Sequence, residues 1–297
     1  MSIRPVFANS RVFFSQKCGG MSGLVAMFFS DFGLRVVVAS EIEFYLFGSH
    51  EQDLEKFWRE VKSSCAKAGI EIFRIEKERG HEQHEVSLAP DMPEKIVRDT
   101  NLLKDIIRNI ANKYFFNASF EAKPVADDCG SGLHIHIHLE DSNKNNQFIK
   151  QDEKISDTLK HSLGGLLLWM PDTMSIFAPK EESYKRFVSG SNAPLTISWG
   201  ANNRTTALRL PDSAYDNKRI EHRVAGADAD VLQVMYVILA AMHYGLATKA
   251  QPDGQVYGDA SLDMYSKPRF SKDLQTANKR MKQSIFPIRN YGILIDS

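Results

Sequence analysis

The sequence has few cysteines and no excess of charge of either sign. Its three cysteines lie far apart among 297 residues and form no CxxC pair. This pattern indicates neither a disulfide framework nor a cysteine metal site, so we expect a reducing compartment, the cytoplasm. Lysine plus arginine number 37 and aspartate plus glutamate also number 37, which disfavours a nucleic-acid partner and an acidic disordered tail.

Long apolar runs near the start and glycine-rich phosphate loops are also absent from the sequence. The run Gly23 to Phe29 is too short to cross a bilayer, and no small-residue cleavage site follows it. We therefore expect neither a signal peptide nor a membrane partner. The apolar stretch 231–242 contains Gln233 and predicts a core helix. Without a Walker A or GxGxxG motif, any nucleotide would have to be held by metal ions, arginines and a slot.

The chain does contain helix and strand patterns, without a regular βαβ order. Apolar residues recur at helical spacing over 51–68, 94–114, 152–170 and 229–247. A further short helix is predicted from Ser271. Residues alternate as in strands over 34–47, 133–140 and 219–224, and more weakly over 71–75, 84–88, 117–123 and 204–210. These patterns predict an α+β fold rich in antiparallel pairs.

Three histidines share one face of the strand predicted at 133–140. His134, His136 and His138 alternate there with aliphatic residues, so one face is apolar and the other carries three imidazoles. The preceding Gly130-Ser131-Gly132 allows a ligand to approach the backbone closely. A solvated polar face is the alternative, but three of only nine histidines in strict alternation favour a functional site.

Two glutamates share a face of the strand predicted at 34–47. The carboxylates of Glu41 and Glu43 project from that face roughly 7 Å apart, which is twice the rise per residue. Carboxylates held so close repel one another unless a cation lies between them, and oxygen ligands suit Mg²⁺ or Mn²⁺. A plain ion pair with lysine or arginine remains the alternative for this motif.

Further charged residues strengthen the metal hypothesis. Glu78 and Glu85 flank a loop-like segment, and Glu221 lies on another predicted strand. With Glu41, Glu43 and His134 they supply enough ligands for two divalent ions with three protein ligands each. Arginine forks that match carboxylate and phosphate oxygens are present as well, at Arg186, Arg204, Arg209 and Arg223.

Seven stretches in chain order resemble the motifs of the glutamine synthetase catalytic domain. They are EIEFYLF at 41–47, ERGHEQHE at 78–85, ASFEAKP at 118–124, GSGLHIH at 130–136, SYKRFVSGSNAP at 183–194, WGANNRT at 199–205 and RIEHR at 219–223. The resemblance is clear from about residue 33 to 245 and fainter beyond. It divides the chain into an unmatched segment, 1–32, and a catalytic domain, 33–297. The implied fold is a curved antiparallel sheet that lines a funnel, with helices packed behind it.

The resemblance also implies roles for individual residues. One metal ion would be held by Glu41, His134 and Glu221, and the other by Glu43, Glu78 and Glu85. The nucleotide would contact His136, near the transferring phosphate, together with His138, Arg204 and Arg209. The amino-acid substrate would contact Gly132, Arg186, Arg223 and Cys129. Arg204, His136 and Asn192 would take part in the chemistry itself.

The chain departs from the family pattern in several places. Only about 32 residues precede the match, without a trace of the family's N-terminal β-grasp domain of roughly a hundred residues. That domain builds the family's rings, so a homo-oligomer is left open. Asn192 replaces a glutamate that accepts a proton in the ammonia-using enzymes. Cys129 replaces a common asparagine, Glu82 a glycine and His138 a serine.

The departures rank the expected functions. The seven-residue step from Glu78 to Glu85 and the WGANNRT stretch look more like the branch that joins glutamate to amines. We therefore expect ATP-dependent formation of a γ-glutamyl amide through a γ-glutamyl phosphate, with ATP, glutamate and an amine as substrates. Glutamine synthesis from ammonium is the second hypothesis, because of Asn192. A third is an inactive relative that retains metal and nucleotide binding.

Overall fold

The computed structural model describes residues 12–14, 20–150, 155–191, 193–213, 215–284, 291 and 293–295. Its strands are β1 (Val12–Phe14), β2 (Arg35–Phe47), β3 (Ile72–Lys77), β4 (Gln83–Leu88), β5 (Asn117–Ser119), β6 (Leu133–Glu140), β7 (Trp199–Ala201), β8 (Leu208–Leu210), β9 (Ile220–His222) and β10 (Ile293–Ile295). Its α-helices are α1 (Gly20–Phe32), α2 (Glu51–Lys67), α3 (Pro93–Lys113), α4 (Asp157–Trp169), α5 (Met174–Phe177), α6 (Val231–Thr248) and α7 (Leu274–Lys282). The predicted α+β class is confirmed.

An eight-stranded sheet organises the fold. Its strand order is β3-β4-β2-β6-β9-β8-β7, and β5 pairs with the last residues of β2. Its strand pairs are antiparallel except β7 with β8, which is parallel. The prediction of an antiparallel-rich sheet is therefore confirmed, with a parallel pair at one edge. Strands β1 and β10 form a separate antiparallel pair.

Strand β2 separates the core from the opposite face of the sheet. Val38, Ile42 and Phe44 are buried in the hydrophobic core. The residues between them in sequence, Glu41 and Glu43, project to the other side because side chains alternate along a strand. Helix α3 packs against β2 and contributes its own apolar stripe to the core. One face of the sheet is thus covered by helices, and the other carries the charged residues.

The apolar helix α6 lies in the core, as the sequence predicts. Its 18 residues have a mean hydropathy of 1.5, enough in length and composition to cross a membrane, but 67% of the helix is buried inside this domain. The Asp230 side chain caps its start by accepting a hydrogen bond from the backbone nitrogen of Gln233, at 2.9 Å. Helices α1, α3, α4 and α5 all contact α6, which explains why it is apolar almost all round.

Helix α1 was not predicted from the sequence. The apolar run within it is too short to cross a bilayer, and its Leu24 and Phe28 are fully buried in the common core. The His243 ring on α6 lies 3.0 Å from the Asp31 carboxylate and holds the end of α1 in place. Residues 20–32 therefore pack as part of this fold, while the boundary at residue 33 stays a prediction.

Several other element boundaries differ from the predicted ones for local reasons. Helix α4 begins at Asp157, because the Ser156 hydroxyl accepts a hydrogen bond from Leu159 nitrogen at 3.1 Å; residues 151–154 lie outside the described residues. Helix α7 begins after Asp273, which caps Thr276 nitrogen in the same way at 2.7 Å. The strand predicted over 204–210 is reduced to β8, since residues 202–207 form a turn.

Small residues let α4 and α6 approach closely. A β-carbon added to Gly165 would lie 2.1 Å from the carbonyl oxygen of Ala241, and one added to Gly245 would lie 2.2 Å from that of His161. No flexible side chain is available to move aside at either point, because the neighbouring atoms belong to the backbone. The crossing therefore requires glycine at both positions.

We predict that Gly165→Ala lowers the free energy of unfolding by about 1–3 kcal/mol, the usual cost of overpacking a core. Alanine favours helices over glycine by about 1 kcal/mol, and this gain is too small to offset the clash. Gly254→Ala is the matched control, since an added β-carbon there meets no atom within 4 Å. Denaturant unfolding measures both variants. Equal stability of the two would contradict the close crossing.

Candidate active site

The register of the sheet brings residues from five strands together on the face away from the helices. Glu43 faces Glu85 across the pair β2–β4, and Glu41 faces His134 across β2–β6. Glu221 faces both His136, across β6–β9, and Arg209, across β8–β9. These residues lie on neighbouring strands and point to the same side, so their side chains converge. The sheet itself therefore builds the predicted cluster.

A cleft of about 530 Å³ opens over this cluster. Its walls are almost entirely charged; the lining residues are Glu41, Glu43, Arg74, Glu76, Lys77, Glu78, Arg79, Glu85, His134, His136, Arg204, Arg209, Pro211, Asp212, Arg219, Glu221 and Arg223. All six predicted metal ligands and three of the four predicted arginines are among them. Such a lining suits ligands that carry several charges of their own.

Three glutamates at one end of the cleft meet the requirements of a divalent cation site. Each of Glu43, Glu78 and Glu85 offers an oxygen, and these oxygens lie within 4.8 Å of one another. Burial, followed by the charges of Glu41 and Glu43, raises the pKa of Glu85 to about 9. Burial and Glu43 also raise the pKa of Glu78. Carboxylates that are crowded in this way fit Mg²⁺ or Mn²⁺, because a cation between them relieves the repulsion.

The other predicted ligand group is assembled in part. His134 Nδ1 lies 3.4 Å from Glu41 Oε2 and 3.8 Å from Glu221 Oε1. Two sets of three residues have their ligand atoms within 4.8 Å of one another here. One set is Glu41, His136 and Glu221, and the other is Glu41, Glu85 and His134. Glu41 thus lies between two histidines and belongs to both groups. The assignment of Glu41, His134 and Glu221 to one ion stays a prediction.

Glu221 is held by two arginines. Arg209 Nη1 donates a hydrogen bond to Glu221 Oε2 at 2.7 Å, and Arg223 Nε donates one to Oε1 at 2.9 Å. Burial alone would raise the pKa of Glu221, but His136 and Arg223 bring it down to about 2. This carboxylate is therefore ionised, and it fixes both guanidinium groups at the wall of the cleft.

Arg219 is a site residue that sequence reasoning missed. Its Nε donates a hydrogen bond to His136 Nδ1 at 3.1 Å, which fixes the orientation of the ring. The Nε2 of the same ring lies 2.9 Å from Glu41 Oε1. The signal in the sequence is the alternation of Arg219, Glu221 and Arg223, which places all three on one strand face.

Arg186 and Gly132 lie behind the cleft wall. Arg186, at the end of a short 3₁₀-helix, is buried and donates hydrogen bonds to the carbonyl oxygens of Val224, at 2.8 Å, and Arg223, at 3.2 Å. Burial lowers its pKa to about 10. The Gly132 nitrogen donates to Glu43 Oε2 at 2.6 Å. A β-carbon on Gly132 would lie 2.7 Å from Arg186 Nη2, so only glycine allows the backbone to come this close to that guanidinium.

The remaining predicted residues have separate surroundings. Arg204 is exposed at the rim of the cleft. His138 pairs with Glu140 at 3.0 Å and lines an adjoining slot of about 150 Å³. The Cys129 carbonyl accepts a hydrogen bond from Tyr45 Oη at 2.9 Å, and burial raises the pKa of the Cys129 thiol. Asn192 lies outside the described residues.

This α+β domain thus brings acidic and histidine groups that can hold a metal ion together with arginines, an arrangement that suits divalent cations and anionic ligands. The family model for the glutamine synthetase catalytic domain matches residues 49–291, so the chain belongs to the glutamine synthetase family. The resemblance expected from the motifs is confirmed. The matched range begins after Glu41 and Glu43, and their place in the site follows from the pairing of β2 with β4 and β6.

Curated relatives join different nitrogen compounds to glutamate, as far as their names tell. Gamma-glutamylputrescine synthetase PuuA of Escherichia coli K12 is 40% identical over 161 residues, which cover 54% of this chain and 34% of the relative. Glutamine synthetase of Halobacterium salinarum is 29% identical, and the match covers 77% of this chain and 55% of the relative. Glutamate-isopropylamine ligase of a Pseudomonas species is 30% identical, and the match covers 71% of this chain and 46% of the relative. The chain thus spans about a third to somewhat over half of these relatives.

A solved structure has the same fold. Apo GmaS superposes with a TM-score of 0.81 at 22% identity, over 92% of this chain and 68% of GmaS. The predicted glutamine synthetase-like catalytic fold is therefore confirmed.

The metal hypothesis predicts a change in thermal stability. Mg²⁺ or Mn²⁺ should raise the melting temperature of the wild-type chain, because an ion that binds only the folded state stabilises it. Glu43→Gln should abolish this gain, since the amide oxygen is a poorer ligand than a carboxylate. It should leave the metal-free protein stable, because it removes a charge that repels Glu85 and keeps an acceptor for Gly132 nitrogen.

Differential scanning fluorimetry with and without each ion measures this effect. Glu55→Gln, at an exposed position of α2, is the control and should respond to metal like the wild type. A wild-type melting temperature that neither ion changes would refute the metal hypothesis.

Proposed function

We propose that this chain carries the catalytic site of an ATP-dependent ligase that forms a γ-glutamyl amide from glutamate and an amine. The observation that carries the proposal is the joining of acidic and histidine ligand groups with arginines in one cleft. Phosphoryl transfer needs its crowded oxygens neutralised by cations and its reactants held in line. The names of the relatives support the glutamate ligase class.

In the proposed reaction the γ-carboxylate of glutamate attacks the γ-phosphorus of ATP. The bond to the β-phosphate oxygen breaks, and ADP leaves. The amine nitrogen then attacks the acyl carbon of γ-glutamyl phosphate, phosphate departs with the bonding electrons, and the amine loses a proton. Bound Mg²⁺ or Mn²⁺ would neutralise phosphate oxygens during these steps. Glu43, Glu78 and Glu85 would hold one ion, and Glu41 with its neighbours His134 and Glu221 the other.

The arginines would orient the anionic reactants. Arg204 and Arg209 line the cleft beside the acidic groups, where guanidinium forks can bind phosphate oxygens. Arg223 would contact glutamate, and Arg186 would approach it through the gap left by the absent side chain of Gly132. His136, fixed by Arg219, would lie between the acidic groups and the phosphates.

The slot beside the cleft suits the base of the nucleotide. It shares Glu41, His136 and Arg219 with the cleft, so the two spaces are adjacent. Its other walls are largely apolar and include Phe73 and Pro90. A flat base between apolar walls would leave the phosphates directed towards the arginines.

An amine is the first choice of nucleophile and ammonium the second. Two relatives are named for amines, gamma-glutamylputrescine synthetase and glutamate-isopropylamine ligase, whereas others are named glutamine synthetase. Ammonium must lose a proton before it attacks, and Asn192 offers no carboxylate to accept it. Burial in a cleft lowers the pKa of an organic amine and eases the loss of its proton.

We predict ADP release from ATP plus glutamate that depends on Mg²⁺ or Mn²⁺ and on an added amine. A panel of putrescine, isopropylamine, methylamine and ammonium, assayed for ADP and for the γ-glutamyl product, identifies the nucleophile. Faster turnover with ammonium than with every amine would reverse the ranking. ATP binding without ADP release under any condition would favour the inactive relative.

Asn192→Glu should raise ammonium-dependent ADP release. A positioned general base contributes roughly 10²- to 10⁴-fold, so restoring a carboxylate at this position should recover part of that factor. Asn192→Gln is the matched control, because it lengthens the side chain without adding a base. An equal effect of the two substitutions, or none, would count against a missing proton acceptor as the reason for the preference.

A further inference from the structure

A second pocket, of about 440 Å³, lies away from the cleft. Helix α3 and β5 form one side of it, and the segments 120–124 and 227–228 form much of the rest. In the described part of the chain it shares no lining residue with the cleft. We call it the lysine pocket after Lys104.

The lysine pocket contains a buried cation, Lys104, whose hydrogen-bond partner is a backbone carbonyl. Lys104 is 7% exposed, and its Nζ donates a hydrogen bond to the Ala227 carbonyl at 2.7 Å. No carboxylate of the described residues lies within 4 Å of this nitrogen. Burial, and next the charge of Arg108, lower the pKa of Lys104 to about 8. The more distant charges of Asp228 and Asp230 offset only part of this effect, so a bound anion would stabilise the buried ammonium.

Arg108 adds a second cation beside the first. It follows Lys104 by four residues on α3, so the two side chains are neighbours on the helix surface. The Phe120 ring lies under both, with its centroid 5.7 Å from Lys104 Nζ and 4.8 Å from Arg108 Cζ. Like charges at this spacing destabilise a helix slightly, and an anion bridging them removes the repulsion.

Other charges around the lysine pocket are largely paired locally. Lys180 Nζ lies 3.9 Å from Asp228, whose Oδ2 also accepts a hydrogen bond from the Ser183 hydroxyl at 2.7 Å. Glu121 is exposed at the rim. Arg108 Nη1 lies 3.2 Å from the exposed Asp105 carboxylate, so among the described residues Lys104 is the cation of this pocket with no carboxylate within 4 Å, beside the apolar surface of Phe120.

We propose that the lysine pocket binds a small organic carboxylate, with one carboxylate group bridging Lys104 and Arg108 and the carbon body against Phe120. Arginine and lysine together offer charge-assisted hydrogen bonds to such a group. The volume of the lysine pocket admits a small metabolite.

The lysine pocket is connected by hydrogen bonds to the segment Gly130-Ser131-Gly132 beside the candidate active site, which we call the glycine loop. Ser131 nitrogen donates to the Ala122 carbonyl at 2.9 Å, and Ala227 nitrogen donates to the Ser131 carbonyl at 3.0 Å. Both Ala122 and Ala227 belong to segments that line the lysine pocket. Ser131 precedes Gly132, whose nitrogen is bound to Glu43. A ligand in the lysine pocket would therefore hold the glycine loop in its present conformation.

Succinate is the probe that tests this proposal, and succinamide is its uncharged counterpart. At constant ionic strength succinate should raise the melting temperature, and calorimetry should show one binding event. Arg108→Gln should weaken succinate binding about tenfold or more, because it removes the fork and its charge. Lys104→Met should do the same. Arg59→Gln, at an exposed position of α2, is the control and should bind succinate like the wild type.

Hydrogen exchange locates the bound succinate. Protection is expected in 118–124, at Ser131 and in 226–228. The proposal is overturned if succinate fails to bind, if succinamide binds equally well, if Arg108→Gln binds succinate like the wild type, or if protection is confined to the cleft strands. Because the test requires neither ATP nor turnover, its outcome is independent of the proposed ligase activity.

Discussion

The register of β2 is the constraint on which both the core and the candidate site depend. Ile42 and Phe44 fill the core, and Glu41 and Glu43 alternate with them. A slip of one residue would exchange the two faces and bury carboxylates among aliphatic side chains. Since an unpaired buried carboxylate costs several kcal/mol, this slip is strongly disfavoured. Packing of the apolar face thereby fixes the separation of the carboxylates on the other face.

The same packing holds carboxylates together that would otherwise repel one another. It also gives the cleft two ends that differ in their charges. At one end burial and neighbouring carboxylates raise the pKa of Glu85 to about 9. At the other end, burial of Glu221 is outweighed by His136 and Arg223, and its pKa falls to about 2. The first end therefore attracts cations, whereas the arginines of the second end attract anions. A nucleotide with its metal ions carries both kinds of charge.

Local alternation predicted the parts of the site that depend on a single strand. The shared face of Glu41 and Glu43, like the three histidines of β6, follows from a period of two. The motif resemblance supplied the grouping of Glu43, Glu78 and Glu85, which belong to different segments. The same alternation places Arg219 on the face of Glu221 and Arg223, but its contact with His136 depends on the pairing of β9 with β6 and was not predicted. Helix α1 was missed for a similar reason, because its burial depends on distant α6.

Arg186 illustrates how a residue can carry a family motif and still act from behind the site. The backbone after β9 turns away from the cleft, and the carbonyls it leaves there must be satisfied. Arg186 binds those of Arg223 and Val224, Leu133 nitrogen binds that of Ala225, and Lys104 binds that of Ala227. The two buried cations thus attach this segment to the 3₁₀-helix and to α3. Glu221 lies just before this segment and Arg223 at its start, so the anchoring of the segment by these two buried cations helps to fix both residues in the cleft.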